Sequence, residues 1–265
     1  MKKIIMFGIC GKMGKSISGE LIKEEEIELI GGFDIINTGA DIGELLTGKK
    51  TGYRIHGSYE DIKKLNPDII IDFTTADSAK KNINWAIENN INIIVGTTGL
   101  RKEDLSEIES RALQSVSKTL IVPNFSIGAA VMVRICGMIS KYFDDCEIIE
   151  MHHDKKKDAP SGTSLYTAEE ISHGGNFSGF RLKDGEIETI KGSRGGFTGG
   201  IHIHSVRLPG LLAHQQVIFG TKGQTLSIKH DSIDRSSFYP GVILAIRNLD
   251  RLSGFTFGLD KLIDI

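Results

Sequence analysis

The chain has 265 residues, enough for one large domain or two medium ones, and its 40% hydrophobic and 25% charged residues are ordinary for a globular protein. Its 32 Lys and Arg residues nearly balance its 34 Asp and Glu residues, which argues against binding nucleic acid or a membrane surface. No stretch has the roughly 20 apolar residues that span a bilayer. The three separated cysteines form no CxxC pair, which argues against a disulfide framework and indicates the reducing cytoplasm. We therefore predict two domains and a small-molecule partner.

The first half of the chain alternates short apolar runs with longer amphipathic stretches. The runs, rich in Ile and Val, are Ile4 to Phe7, Glu28 to Phe33, Asp68 to Phe73, Ile91 to Val95 and Thr119 to Val122. The stretches with helical spacing are Met13 to Lys23, Ser78 to Glu88 and Lys102 to Ser115. Strands that are buried on both faces and joined by crossover helices have this pattern, which predicts a Rossmann-type α/β domain with a parallel sheet.

After Phe125 the pattern changes. A helix is predicted from Ala129 to Tyr142 and a strand from Glu147 to His152. Three later runs alternate in polarity like an antiparallel sheet, namely His202 to Arg207, Gln215 to Phe219 and Thr225 to His230. A last helix, from Arg235, is predicted to pack on the first domain. The predicted division is thus a dinucleotide-binding domain of residues 1–125 with 235–265, and a smaller α+β domain of residues 126–234 with a mostly antiparallel sheet.

Three glycines, Gly8, Gly11 and Gly14, occupy the predicted turn from the first strand into the first helix. At such a turn the backbone can approach a pyrophosphate closely, and the free N–H groups at the helix start can bind it. The usual fingerprint is G-x-G-x-x-G, and here Cys10 stands at its middle glycine, so this turn alone is a weak signal. We interpret Cys10 as a small packing residue.

Asp34 strengthens the prediction of a dinucleotide site. It ends the second predicted strand 20 residues after Gly14, near the spacing at which an acidic side chain binds the adenosine ribose. The alternative is a solvated turn residue. Asp34 would repel a 2′-phosphate and is followed by Ile35, so NADH is favoured over NADPH, although Lys49 and Lys50 could weaken that preference.

Two further strand ends, Asp72-Phe73-Thr74 and Gly96-Thr97-Thr98-Gly99, lie where ligands bind in open α/β sheets. Their small polar residues could line a nicotinamide pocket. Ordinary loops have similar sequences, so spacing alone leaves both interpretations open.

The segment from Glu150 to Thr163 concentrates two histidines and three lysines, then a Ser-Gly-Thr turn that opens a helix. Histidine titrates near neutral pH and lysine keeps a positive charge, a combination suited to acid chemistry on an anionic substrate. The N–H groups after Pro160, with the hydroxyls of Ser161 and Thr163, could bind a carboxylate. Lys155 and Lys157 are interpreted as a solvated charge run.

No metal site is predicted. His152 and His153 are adjacent on a strand and so point to opposite faces. His202 and His204 share a face, with His214 nearby, but no carboxylate is spaced to complete a ligand set. Structural strand histidines are the expected outcome.

The segment His152-His153-x-x-Lys156-x-Asp158-Ala159-Pro160-Ser161-Gly162-Thr163 resembles the signature of the dihydrodipicolinate reductases, also called 4-hydroxy-tetrahydrodipicolinate reductases. The resemblance extends over essentially the whole chain. It includes Gly8 to Gly14 with Lys12-Met13, Gly96 to Gly99, Pro123 to Ser126, and His204 to Gly210 followed by His214. The chain departs from the family pattern at Ser164, where alanine is common, at Cys10, and in the loop Gly192 to Gly200, which leaves the geometry between helix and sheet open.

This resemblance implies reduction of a cyclic imine dicarboxylate to tetrahydrodipicolinate by NADH or NADPH, in lysine and diaminopimelate biosynthesis. It also implies a homotetramer whose second domains join their sheets. The implied catalytic residues are His152, which exchanges the proton, and Lys156. The implied substrate-binding residues are His153, Ser161, Gly162 and Thr163. The implied cofactor-binding residues are Gly8, Gly11, Lys12, Met13, Asp34, Gly96, Thr97, Thr98, Asn124, Phe125 and Ser126.

Two other functions remain open from the sequence. One is another two-domain dehydrogenase, of the aspartate or homoserine type, which would share the nucleotide fold but lack the His-His-x-x-Lys segment. The other is a redox-sensing NAD-binding regulator without turnover, which would be expected to carry a basic surface for nucleic acid. The even balance of charge argues against the regulator.

Overall fold

The structure is a computed structural model that describes residues 1–175, 177 and 185–265. The chain forms two compact units, Met1–Phe125 with Tyr239–Leu262, and Ser126–Phe238 with Ile263–Ile265. Within the described ranges, no helix combines the length and the apolar content that a membrane span requires.

The first unit is built on a seven-stranded sheet with crossover helices. Its strands are β1 (Lys2–Phe7), β2 (Ile27–Phe33), β3 (Ile55–His56), β4 (Ile69–Asp72), β5 (Asn92–Val95), β6 (Thr119–Ile121) and β12 (Phe255–Phe257). Its helices are α1 (Lys12–Leu21), α2 (Ile42–Thr47), α3 (Tyr59–Leu65), α4 (Ala76–Glu88), α5 (Lys102–Ala112) and α8 (Tyr239–Asn248). The strand order is β12-β6-β5-β4-β1-β2-β3 and all pairings are parallel. The predicted Rossmann-type domain is confirmed.

Continuous apolar runs form this sheet because its strands are buried on both faces. Ile5, Ile70 and Ile93 lie side by side in the core and have no exposed surface. Because all strands are parallel, the residues that follow β1, β2, β4 and β5 gather along one edge of the sheet. The glycine turn and Asp34 therefore belong to the same edge as the two predicted strand-end loops.

The described residues of the second unit form a five-stranded sheet and two α-helices. Its strands are β7 (Asp145–His152), β8 (Gly196–Thr198), β9 (Ile201–Arg207), β10 (Ala213–Thr221) and β11 (Gln224–Ser232), and its helices are α6 (Ile127–Ile139) and α7 (Gly162–Gly174). The order is β11-β10-β7-β9-β8. All pairings are antiparallel except that of β7 with β9, which are separated in sequence by α7. The mostly antiparallel sheet was predicted correctly.

One face of the second sheet is covered by the two helices. Alternate residues of the strands, such as Ile148, Ile203 and Phe219, pack with Met132 of α6 and Ile171 of α7 in one buried cluster. The intervening residues lie on the opposite face, which we call the open face. Burial along β7 alternates for this reason.

The glycine-rich loop forms a hairpin. Thr198 of β8 pairs with Ile201 of β9, and the two residues between them, Gly199 and Gly200, have φ values of 57° and 81°. A two-residue hairpin turn with positive φ at both positions strongly favours glycine. The loop therefore supplies an edge strand to the second sheet.

The C-terminal helix begins later than predicted. Residues Arg235–Phe238 form a 3₁₀ turn, and α8 starts at Tyr239. The Tyr239 hydroxyl is hydrogen-bonded to Ser16 of α1, and Lys2 Nζ donates to the carbonyl oxygen of Ile246 at 2.8 Å. The helix thus packs on the first unit, as the sequence indicated.

Candidate active site

The turn between β1 and α1 has no room for side chains. Gly8 has a φ of 77°, and a Cβ on it would lie 2.5 Å from the carbonyl oxygen of Phe73. A Cβ on Gly14 would lie 2.1 Å from the carbonyl oxygen of Gly8. Gly11 is the N-cap of α1 and is exposed, and exposed Lys12 begins the helix, followed by half-buried Met13. A bare backbone turn that leads into a helix N-terminus fits the pyrophosphate of a dinucleotide.

Asp34 bonds back to this turn. Its Oδ2 accepts a hydrogen bond from the backbone N–H of Cys10 at 2.9 Å, and its Oδ1 accepts one from Ile36 N–H at 3.1 Å. The carboxylate is half-exposed and so remains accessible to a ligand. Burial and the neighbouring Asp34 raise the pKa of the Cys10 thiol, which keeps it neutral. Asp34 therefore holds the end of β2 to the glycine turn.

A buried carboxylate organises the next strand ends. Asp72 has no exposed surface, and its Oδ1 accepts hydrogen bonds from Thr97 Oγ1 at 2.7 Å and from Thr74 Oγ1 at 2.8 Å. Its Oδ2 accepts one from Asn82 Nδ2 at 2.6 Å. The hydroxyl of Thr97 is thus directed inward, whereas Thr98 is exposed.

Aromatic rings enclose Gly96. A Cβ there would lie 2.1 Å from the ring of Phe73 and 2.8 Å from the ring of Phe125. The two ring centroids are 5.5 Å apart. Asn124 lies just before Phe125 and is half-buried. Ser126 belongs to the second unit, where its Oγ lies 2.9 Å from Nε2 of His230.

His152 is the last residue of β7 and shares a strand face with Glu150. Its Nδ1 is hydrogen-bonded to Glu150 Oε2. Arg207 of β9 contacts the same carboxylate, with Nη1 2.9 Å from Oε2 and Nη2 2.7 Å from Oε1. Burial alone would raise the pKa of Glu150, but hydrogen bonds from His152, Arg207 and Ser205 outweigh that effect and hold it at about 2. His153, half-buried, follows directly after the strand.

Lys156 differs from the lysines on either side of it. Its side chain is 22% exposed and its Nζ lies 2.8 and 2.9 Å from the two carboxylate oxygens of Asp158. Lys155 and Lys157 are exposed, in keeping with a solvated charge run. Burial would raise the pKa of Asp158, but the ion pair with Lys156 lowers it overall. The Lys156 ammonium therefore already holds a carboxylate.

The start of α7 carries the predicted substrate-binding turn. Ser161 is the N-cap, and its Oγ accepts a hydrogen bond from Ser164 N–H at 3.2 Å and lies 2.7 Å from Ser164 Oγ. Because Ser161 is 2% exposed, its hydroxyl serves the helix. Gly162 is exposed and Thr163 half-buried. The first N–H groups of an α-helix have no acceptor within the helix itself, which makes a helix start a general site for anions.

Two further strand histidines, His204 and His214, have carboxylate partners. His204 Nε2 lies 2.7 Å from Glu147 Oε2, and His214 Nδ1 lies 2.7 Å from Asp231 Oδ1. Within residues 1–175, 177 and 185–265, no group of three or more His, Cys, Asp or Glu side chains could hold a metal ion.

Comparison with known proteins assigns the family. A family model described as the N-terminus of dihydrodipicolinate reductase matches residues 2–125, and one described as its C-terminus matches residues 128–263. The chain belongs to the dihydrodipicolinate reductase family. It is therefore an NAD(P)H-dependent oxidoreductase of lysine and diaminopimelate biosynthesis, as the resemblance implied.

Several relatives match this reductase over its full length. It is 44% identical over 264 residues to the 4-hydroxy-tetrahydrodipicolinate reductase of Carboxydothermus hydrogenoformans, covering 99% of this chain and 100% of that protein. It is 45% identical over 271 residues to that of Desulfitobacterium hafniense, covering 100% of both. The solved dipicolinate-bound dihydrodipicolinate reductase of Paenisporosarcina sp. TG-14 superposes with a TM-score of 0.82 at 35% identity, covering 99% of this chain and 100% of that one. These matches favour the reductase over the two other functions that the sequence left open.

Sequence reasoning assigned no role to Glu150 and Arg207, which contact each other beside His152. Glu150 lies within the predicted catalytic segment, and its spacing of two from His152 on a strand places both side chains on one face. Arg207 is separated from Glu150 by 57 positions, and only the parallel pairing of β7 with β9 brings them together.

Proposed function

We propose that this reductase converts 4-hydroxy-tetrahydrodipicolinate to tetrahydrodipicolinate and water, using one hydride from NAD(P)H and one proton, with the first unit binding the dinucleotide and the second binding the substrate. The observation that carries the proposal is the grouping of an imidazole, a partly buried ammonium and an open helix start on one segment, residues 152–163. Binding of a cyclic dicarboxylate requires groups that bind anions, and reduction of its ring requires a proton donor. The Paenisporosarcina reductase was solved with dipicolinate, a ring with two carboxylates, which supports this substrate class.

In the proposed reaction His152 exchanges a proton with the substrate through Nε2, because Nδ1 is bonded to Glu150. Lys156 binds a substrate carboxylate in place of Asp158 and stabilises charge that develops on the ring. Gly162 and Thr163 hold a carboxylate through the start of α7, and Ser161 maintains that helix start as its cap. His153 is proposed to contact the substrate.

The proposed cofactor site extends along the edge of the first sheet. Gly8, Gly11, Lys12 and Met13 would hold the pyrophosphate, and Asp34 the adenosine ribose. The nicotinamide, which supplies the hydride when the dinucleotide is bound, would be held by Gly96, Thr97, Thr98, Asn124, Phe125 and Ser126.

NADH is the proposed preferred cofactor. The carboxylate of Asp34 would repel a 2′-phosphate, and Ile35, 91% exposed, offers it no charge. Arg54 lies near the same loop, with Nη1 3.2 Å from the carbonyl oxygen of Gly39, and its positive charge would allow some use of NADPH. Lys49 and Lys50 are both exposed and could add to it.

A homotetramer is proposed to form through the open face of the second sheet. Ile149 and Met151 of β7, Val206 of β9 and Ile218 of β10 lie on this face and are only half-buried in the single chain. Joining two such faces would bury these apolar side chains.

The proposed compartment is the cytoplasm, which suits three cysteines that are all free thiols.

The test is oxidation of NADH and NADPH by the full chain with freshly generated 4-hydroxy-tetrahydrodipicolinate. We expect substrate-dependent oxidation, faster with NADH, and a fall in kcat of about 10² to 10⁴ in His152→Ala with NADH binding retained. His173→Ala, at the exposed end of α7, is the matched control. NAD-dependent oxidation of aspartate or homoserine, without activity on the cyclic imine, would contradict the proposal.

A further inference from the structure

Glu150 is an unusual residue for a strand that ends at a catalytic site. It is a carboxylate without any exposed surface, on the face of β7 that carries the apolar residues Cys146 and Ile148. A buried charge is costly unless other groups pair with it and complete its hydrogen bonds. Here the partners are His152 on the same strand and Arg207 on the neighbouring one.

We propose that Glu150 and Arg207 are positioning residues for catalysis, Glu150 by orienting the imidazole of His152 and Arg207 by fixing the loop that carries Lys156. This inference rests on the proposed function, because it assigns these residues to the same reaction.

The first part follows from the chemistry of the Glu150–His152 contact. An ionised carboxylate only accepts hydrogen bonds, so Nδ1 of His152 must carry the proton in that contact. The hydrogen bond that one ring nitrogen makes decides which nitrogen of a neutral histidine carries the proton. Here the proton is on Nδ1, so Nε2 faces the substrate in the proposed reaction.

The second part follows from the reach of Arg207. Its Nη2 donates both to Glu150 Oε1 at 2.7 Å and to the backbone carbonyl oxygen of Asp158 at 2.6 Å. The side chain of Asp158 in turn holds Lys156. One planar guanidinium thus connects the buried carboxylate to the catalytic loop, which a lysine at this position could not do with the same geometry.

A purely structural role is the alternative, and the chain contains a matched example of it. Glu147, three residues earlier on β7, also pairs with one histidine and one arginine, His204 at 2.7 Å and Arg194 at 2.7 Å. It lies on the open face, and its side chain is 33% exposed whereas that of Glu150 is 0% exposed. Glu147→Gln, compared with wild type at the same oligomeric state because this face is the proposed tetramer contact, is therefore a control for the loss of one Glu–His–Arg cluster on the same strand.

The test compares Glu150→Gln with Glu147→Gln in the full-length reductase. Glutamine preserves the shape of the side chain but removes its charge. We expect kcat of Glu150→Gln to fall by about 10- to 100-fold, part of what a positioned proton donor supplies, with the KM for NADH unchanged. Glu147→Gln should keep the wild-type kcat.

Arg207→Lys is the second variant, and it decides the matter if Glu150→Gln fails to fold. Lysine keeps a positive charge beside Glu150 but loses the bidentate hydrogen bonds to the Glu150 carboxylate and the hydrogen bond to the backbone carbonyl oxygen of Asp158. A reduced kcat with unchanged NADH binding supports the inference. Wild-type kcat in every folded variant of Glu150 and Arg207 would overturn it. The proposed function would fail separately, through absence of turnover by the wild-type chain.

Discussion

The two units each contain a fully buried carboxylate near the carboxyl end of a strand, and the two carboxylates have different partners. Asp72, at the end of β4, accepts hydrogen bonds from Thr74, Asn82 and Thr97, all of them neutral donors. Glu150, near the end of β7, is bonded to a histidine and an arginine. Burial is the same in both cases, at 0% exposure.

The partners of a buried carboxylate, more than its burial, indicate what it does. Neutral donors around Asp72 fix the shape of two loops along the proposed cofactor edge and offer no proton to a substrate. The partners of Glu150 include the imidazole of His152, a group that can exchange a proton with a substrate. We therefore expect changes around Asp72 to affect stability and cofactor binding, and changes around Glu150 to affect turnover.

The largest effect on kcat is expected at Lys156, in the predicted catalytic segment of the second unit. Lys156→Ala removes the ammonium that is proposed to bind a substrate carboxylate and to stabilise charge on the reacting ring. The kcat should therefore fall by about 10² to 10⁴ or more. Steady-state kinetics with the cyclic substrate measure it. Lys155→Ala, the exposed neighbour, should keep wild-type kcat. Equal losses in the two variants would assign the effect to the general positive charge of the loop.

A smaller effect is expected at the glycine turn, on the cofactor side. Gly14→Ala would place a methyl group 2.1 Å from the carbonyl oxygen of Gly8, so the turn must shift. NADH binding should weaken about tenfold or more, equivalent to about 1.4 kcal/mol per tenfold, with kcat less affected. Gly19→Ala in the same helix meets nothing within 4 Å and should leave binding unchanged. Unaltered NADH titration of Gly14→Ala would contradict the proposed pyrophosphate site.

Thr97→Val tests the neutral network directly. Valine matches the shape of threonine but leaves Asp72 without one donor and Thr74 N–H without one acceptor. The free energy of unfolding should fall by about 1–3 kcal/mol, as measured by urea titration. Thr98→Val changes an exposed residue and should leave stability within about 0.5 kcal/mol of wild type. If Thr97→Val were as stable as Thr98→Val, the hydrogen bonds between Thr97 and Asp72 would not contribute to the free energy of unfolding.

The smallest expected effect is the pH dependence of stability at Glu150. Its folded pKa of about 2 lies below the ordinary value of 4.5, so its contribution to stability is present above pH 4.5 and is lost as the pH falls toward 2. The stability advantage of wild type over Glu150→Gln should therefore narrow over that range. Lys155→Ala, which does not titrate there, should differ from wild type by a constant amount. A difference for Glu150→Gln that does not depend on pH would contradict the assigned pKa.

Long and strongly patterned elements could be predicted from the sequence. Ile69–Asp72 and Asn92–Val95 are apolar runs, and buried parallel strands have such runs. Strands of two or three residues, such as Ile55–His56 and Phe255–Phe257, are too short to show a period and form because neighbouring strands pair with them.

The candidate site was predictable where its residues are close in sequence. His152, Lys156 and the start of α7 lie within one segment, and their chemistry can be identified from residue type and spacing. The role of the Ser161 hydroxyl as a helix cap depends on side-chain direction, which spacing does not give. Arg207 joins the site through strand pairing, which a local pattern cannot indicate.

NADH labelled with deuterium at the hydride that it transfers allows the reduction of the ring to be followed directly. After turnover of 4-hydroxy-tetrahydrodipicolinate by the wild-type chain, mass spectrometry should find tetrahydrodipicolinate carrying one deuterium on a ring carbon. Oxidation of the labelled NADH without deuterium in the ring, or no oxidation in the presence of this substrate, would contradict the assignment of this chain as a cyclic imine reductase.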